Sequence, residues 1–328
     1  MAVCPSPPFD QAGFVVSFDL EETIALRTFF ETFGFVIIRD VLNEEEVEKT
    51  MSEFHSSYQQ LEDLSFREEG PDLCSITQLM NRQNSKVHKA FTTIFNTSEL
   101  IVDHDRLGVM RPTGTETNSA RQEWRSKLNW LHLDVNPISG QAAITGYKTN
   151  DKIIPIDFET KLFTQGLIAL TTAMSENDGG FHCVPGSHKF SRKWTQKHSE
   201  ARTRAGVLVP WNDTLHRHVH KISLRKGSLL VWNSLLFHGS FPNHSKNWRI
   251  VQYVRMMPVS YKKYYEPLIT DAKLYPVGFE MTDLGRCLFG LETHPKKSIS
   301  IIDIVVGLGL IGTTIGLITW LSKQRVII

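Results

Sequence analysis

NWLHLDVNP, Asn129–Pro137, sets a histidine and an aspartate two residues apart in a run of β-type residues. On a strand, positions i and i+2 project from the same face, so His132 and Asp134 share one face and Leu133 takes the other. Working outward, short apolar runs separated by turn signals recur from about residue 106: Leu107 to Met110, Trp130 to Val135, Gly166 to Ala173, His218 to Ser223, Ser228 to Trp232 and Trp248 to Met256. That spacing predicts a mainly β fold, a closed or double-sheet barrel of the jelly-roll, cupin-like type (a double-stranded β-helix) over about 106–260. No internal repeat of 20 to 50 residues interrupts it.

Upstream the pattern is helical, over about 19–100. Asp19 precedes EETIALRTFFETFG, whose apolar residues recur at helical spacing and stop at Gly34; the run FVII, Phe35 to Ile38, then reads as a strand. Asn43 is placed to cap a second helix opened by Glu44 to Glu46, where acids meet the helix dipole favourably. Ile76 to Ile94 is expected to form one more helix. Arg111 to Lys127 and Lys148 to Lys161 read as loops beside the barrel mouth, where substrate contacts commonly lie.

Composition bounds the function classes. The chain has 328 residues with 36 Lys+Arg against 35 Asp+Glu, a net charge of +1, so no general basic excess points to nucleic acid. Four cysteines at no CxxC spacing argue against structural zinc and a disulfide scaffold, and fit a reducing compartment. Three sequons, at Asn96, Asn212 and Asn243, are read as chance matches. At the other end, ISIIDIVVGLGLIGTTIGLITWL, residues 299–321, is 23 residues with one charge, Asp303. As a helix it would span about 35 Å, enough for a hydrocarbon core of roughly 30 Å. Lysines before it, Trp320 and two basic residues after it suit the interfaces. The expectation is one large domain over 1–297, a transmembrane helix over 299–321 and a short tail over 322–328, with the larger part cytosolic. Gly312 and Gly316 offer a GxxxG face for a possible homodimer.

A third metal ligand must come from a distant strand. LFHGSFPNHSKNWR, Leu236–Arg249, supplies His238, 106 residues after His132, at the end of the run SLLVWNSLLF. Two neutral imidazoles and one carboxylate on one octahedral face leave three positions free, which lets Fe(II) accept a chelating co-substrate together with O2. Eleven residues past His238, Arg249 opens another β-like run, and its planar guanidinium can hold a carboxylate bidentately. Ser240, two beyond His238, could donate a hydroxyl to the same group. Taken singly, each of these residues is as well explained by a surface turn or an exposed strand. Two competing sets are weaker: His198 with Glu200, in a polar segment, and His216, His218 and His220, which would alternate on one strand face without a carboxylate.

With these residues in view, the chain resembles the phytanoyl-CoA dioxygenase family of Fe(II)/2-oxoglutarate oxygenases. The resemblance rests on the H-x-D at His132 and Asp134, on ENDGGFHCVPGSHK at Glu176 to Lys189, on HGSFPNHSKNWR, and on GFVIIRDVLNEEEVE near the N-terminus. It covers roughly Phe29 to Met257. It implies that His132, Asp134 and His238 bind iron and that Arg249 and Ser240 bind the C5 carboxylate of 2-oxoglutarate, with O2 as the oxidant. The implied reaction is hydroxylation of a small-molecule or lipid-like substrate with release of succinate and CO2. The alternative from another class is a catalytically silent, membrane-tethered jelly-roll binding protein. Leu133 stands where family members often carry glutamine; since it points away from the metal face, little effect is expected.

Overall fold

The computed structural model describes residues 4–59, 75–114, 131–142, 156–203, 206–264 and 275–295. The chain separates into two units, Met1–Glu292 and Thr293–Ile328. The expected membrane helix over 299–321, with Gly312 and Gly316, lies outside the described residues, as do most of the two candidate loops. Among the described residues no helix is long and apolar enough to cross a membrane.

Two five-stranded antiparallel sheets form the framework. The first runs in the order β1 (Phe35–Ile38), β11 (Leu229–Asn233), β7 (Thr164–Ala169), β13 (Arg249–Tyr253), β3 (Leu107–Met110). The second runs β10 (His220–Lys221), β8 (Asp178–Cys183), β12 (His238–Asn243), β4 (His132–Leu133), β9 (Val207–Leu208). The consecutive strands β11, β12 and β13 pass from first sheet to second and back, the winding of a double-stranded β-helix. Two small ribbons complete the strands: β2 (Leu100–Val102) with β14 (Met256–Pro258), and β5 (Val135–Asn136) with β6 (Gln141–Ala142).

The inner faces of the two sheets pack on one another, with the Phe181 ring on β8 centred 4.7 Å from that of Trp232 on β11. The helical layer lies over the first sheet. In α1 (Thr23–Phe33) the buried face of Leu26, Phe29 and Phe30 meets β1, with Phe29 edge-on to Phe35 at 5.5 Å. Gly34 ends α1 in the left-handed region at φ 80, a conformation open to glycine without strain, and its N–H caps the Phe30 carbonyl. α2 (Glu44–Gln59) opens with a reciprocal cap: Glu46 N–H donates to Asn43 Oδ1 at 2.9 Å and Asn43 N–H to Glu46 Oε2 at 2.7 Å.

The single helix expected from Ile76 to Ile94 is two, α3 (Ile76–Arg82) and α4 (Ser85–Phe95). Asn84, extended between them, caps α4 through the Lys86 N–H, so local capping breaks a pattern that periodicity alone reads as continuous. A second apolar cluster lies behind the other sheet, where Leu131, Leu133, Val184 and Phe237 are buried and Trp194 of α5 (Ser191–Lys197) meets Phe237 at 5.0 Å. α6 (Asp283–Leu288) closes the unit near β2.

Candidate metal centre

The alternation read from NWLHLDVNP is realised in space. Leu131 and Leu133 are buried in the second cluster, while His132 and Asp134 turn the opposite way, toward the other sheet. β4 pairs with β12 at one register position, His132 opposite His238, which sets the imidazoles side by side with ring centroids 4.5 Å apart. Asp134 lies between them: Oδ1 is 3.3 Å from His132 Nε2, and Oδ2 is 3.4 Å from His238 Nε2. One ligand atom from each of the three falls within 4.8 Å of the others. Among the described residues no other trio of His, Cys, Asp or Glu converges in this way.

The donor chemistry suits a divalent transition metal. His238 directs Nδ1 to the Leu236 carbonyl at 2.9 Å, so that nitrogen carries the proton and Nε2 keeps a lone pair toward Asp134. Phe181 stacks on the His238 ring at 5.7 Å and Trp232 flanks it at 5.3 Å. Burial lowers the basicity of His238, with the nearby His132 adding to the effect, so its neutral form is favoured. Burial works against ionisation of Asp134, but the flanking His132 and His238 outweigh it and hold the carboxyl well below the usual carboxylate range. An ionised carboxylate between neutral imidazoles is the protonation state a metal needs.

Asp134 has a further partner that the sequence did not disclose. Gln165 on β7, across the interior, donates Nε2 to Asp134 Oδ2 at 2.7 Å, and its own Oε1 accepts from Trp232 Nε1 at 3.1 Å. The chain Trp232, Gln165, Asp134 thus orients a ligand from the opposite sheet. Gln165 lies in a run read only for its β-type residues; no motif marked it.

Arg249 is at the start of β13, paired with Met110, and is 3% exposed. Burial pulls its guanidinium below the ordinary arginine range. Ser240 follows His238 on the same face of β12 and pairs with Phe181 on β8. Arg249 reaches the neighbouring residue of β8: a Cβ built on Gly180 would lie 3.1 Å from its Nε. Ser240 and Arg249 therefore border the same stretch, Gly180–Phe181, from two directions.

The competing histidines are dispersed. His216 and His218 belong to a 3-10 helix, Thr214–His218, and only His220 is in β10, so the three do not alternate on one strand face. Asp213 caps that turn through the Leu215 N–H, which diverts the segment from the extended form. His198 stacks on Trp194 at 4.0 Å and Glu200 is exposed; neither joins a ligand cluster. His182 is fully buried against Phe241, and Gly186 makes the expected turn beyond it at φ 78. Asn243 is 1% exposed and its amide donates to the Arg111 and Asn247 carbonyls at 3.0 and 2.7 Å, a structural role with no room for a glycan.

Comparison with known proteins places these features in context. The sequence profile of the phytanoyl-CoA dioxygenase family matches residues 30–251. A protein of Dictyostelium discoideum, named as a phytanoyl-CoA dioxygenase, is 30% identical over 267 residues, 71% of this chain and 74% of the relative. Among solved structures, GlcNAc Inducible Gene 2 of Candida albicans superposes with a TM-score of 0.60 at 14% identity, over 85% of this chain and 80% of that one. HygX of Streptomyces hygroscopicus, solved with nickel and 2-oxoglutarate, superposes with a TM-score of 0.50 at 18% identity, over 80% and 98%. At these identities the two structures show a shared fold.

Proposed function

Because the chain belongs to the phytanoyl-CoA dioxygenase family, we propose that it is an Fe(II)- and 2-oxoglutarate-dependent dioxygenase that hydroxylates a small-molecule or lipid-like substrate. The observation that carries this reading is the convergence of His132, Asp134 and His238 to within 4.8 Å, on one face of a barrel whose interior also holds the buried Arg249. His132 and His238 would hold iron through Nε2 and Asp134 through its carboxylate; Arg249 and Ser240 would fix the far carboxylate of 2-oxoglutarate. When bound, this pair supplies the oxidising power for C–H hydroxylation at the expense of O2, with succinate and CO2 as by-products.

The protein's part is positional. Gln165 holds Asp134 in place, the Leu236 carbonyl fixes the His238 tautomer, and Phe181 and Trp232 keep water from one side of the imidazole. A membrane tether through residues 299–321 belongs to the same proposal, supported by the apolar run in the sequence alone. Alkaline-carbonate extraction of the full chain should leave it with the membrane pellet and release a chain ended at Pro295.

The catalytic reading is tested by anaerobic titration of Fe(II) and then 2-oxoglutarate, following the weak visible charge-transfer band of a chelated 2-oxo acid. Wild type should develop the band, and His132→Ala should not. A folded wild type with no band would make the tethered, non-catalytic binding protein the better reading.

A further inference from the structure

Gly180 is at φ +97, a backbone conformation natural to glycine, and its Cα faces two cations. A Cβ there would meet Arg249 Nε at 3.1 Å, Lys221 Nζ at 3.3 Å and Arg249 Nη2 at 3.5 Å. The ammonium of Lys221, on the edge strand β10, and the guanidinium of Arg249, on the facing sheet, thus crowd around a single point. Lys221 Nζ is buried and has no hydrogen-bond partner. Among the described residues no carboxylate lies within 4.0 Å of either cation; Asp178 and Glu176 act on Lys221 only from farther off. Asp178 is committed elsewhere, accepting the Met174 and Ser175 N–H groups.

Two cationic groups out of water and side by side, with no carboxylate between them, are unfavourable. Such a pair persists where an anion is to be bound. We infer that Lys221 is a second cation of the distal-carboxylate pocket, gripping with Arg249 the end of the co-substrate remote from the metal. This rests on the 2-oxoglutarate reading above and deepens it. The absence of a side chain at Gly180 opens the space in which that carboxylate meets both groups. Burial has already pushed the Lys221 ammonium down to about 7, with Arg249 contributing, and an incoming carboxylate would restore its charge.

The test compares two chelating acids, 2-oxoglutarate and 2-oxobutyrate, which share the 2-oxo acid head and differ in the distal carboxylate. Each is titrated anaerobically into the Fe(II)-loaded full chain, wild type and Lys221→Met, following the charge-transfer band. Lys221→Met should raise the half-saturating 2-oxoglutarate concentration at least tenfold and change that of 2-oxobutyrate less than twofold. Thermal unfolding gives an independent readout. Without ligand, Lys221→Met should melt no lower than wild type, because it removes an unpaired buried charge, while the rise in Tm produced by 2-oxoglutarate should shrink. If Lys221→Met does not fold, Lys221→Gln takes its place. Unchanged 2-oxoglutarate half-saturation, or equal weakening for both acids, would overturn the role of Lys221. No band in wild type with either acid overturns the oxygenase reading itself, and this inference with it.

Discussion

Gln165 donates its amide N–H to Asp134 across the barrel at 2.7 Å, so a candidate metal-ligand carboxylate at the end of a strand of one sheet is held by a residue of the other. Outer partners of this kind typically contribute ten- to hundredfold to metal affinity. Gln165→Leu is therefore expected to weaken Fe(II) binding about tenfold or more while leaving the fold intact. Trp232→Phe, which removes the donor to Gln165 and trims the ring beside His238, should weaken binding in the same direction. Competition against a fluorescent metal chelator measures both; equal affinity in Gln165→Leu and wild type would remove Gln165 from the site.

Gly180 and Gly227 allow a paired experiment. Both have positive φ, at +97 and +80, and a Cβ would meet Arg249 Nε at 3.1 Å in one case and the Leu42 carbonyl at 2.5 Å in the other. Each alanine variant should lose on the order of 1–3 kcal/mol of stability from backbone strain. Only Gly180→Ala should also raise the 2-oxoglutarate concentration needed for half-saturation. Denaturant melts and ligand titration on the two variants separate strain from occlusion.

His104 is buried, both ring nitrogens lack partners, and it stacks on Phe289 at 5.3 Å. Burial, assisted by Arg82, pushes its pKa from 6.5 down to about 3. The folded protein therefore resists a proton that the unfolded chain takes near pH 6.5, and stability falls as pH drops below that value. Each such histidine contributes a slope of about 1.4 kcal/mol per pH unit. His188, held down to about 4 by burial, acts in the same sense. Between pH 6 and 5, His104→Phe should lose stability less steeply than wild type by about one proton's worth. Parallel slopes in urea melts would contradict this.

The reciprocal cap of Asn43 and Glu46 fastens the start of α2. Asn43→Ala should cost about 1 kcal/mol in urea denaturation, with metal and 2-oxo acid binding unchanged. Full stability in this variant would show that α2 is held by its packing alone.

Much of the site could be read from the chain because strand geometry is a strict code. A two-residue spacing fixes a shared face, so His132 with Asp134 and His238 with Ser240 could be paired before any fold was known. Capping residues and Gly34 marked α1, β1 and α2 for a similar local reason. Gln165, Trp232 and Lys221 carried no such mark. Their importance arises from which strands the winding brings opposite one another, and single-strand periodicity is blind to that. β8 was missed as a strand because its Asp-Gly-Gly opening looks like a turn; Gly179 instead lets Asn243 approach, and Gly180 makes room for Arg249 and Lys221. The histidines near residue 218 failed oppositely, since a local Asp213 cap outweighed an alternating pattern.

β4, which carries His132 and leads directly into Asp134, is only two residues long, joined to β12 at one position and to β9 at two. His238, by contrast, sits in a six-residue strand of the central framework. A metal bridging them would act as a stitch, converting its own affinity into rigidity for a lightly sewn corner. At a metal concentration a thousand times Kd, that amounts to about 4 kcal/mol for any opening that breaks the site. Hydrogen exchange at Leu131–Asn136 should accordingly slow by up to about a thousandfold on metal loading, while α1 exchanges unchanged. Equal exchange with and without metal would mean that the corner is already closed. If it slows, an iron-starved cell would hold the barrel intact but with this seam undone, a difference that a protease could read.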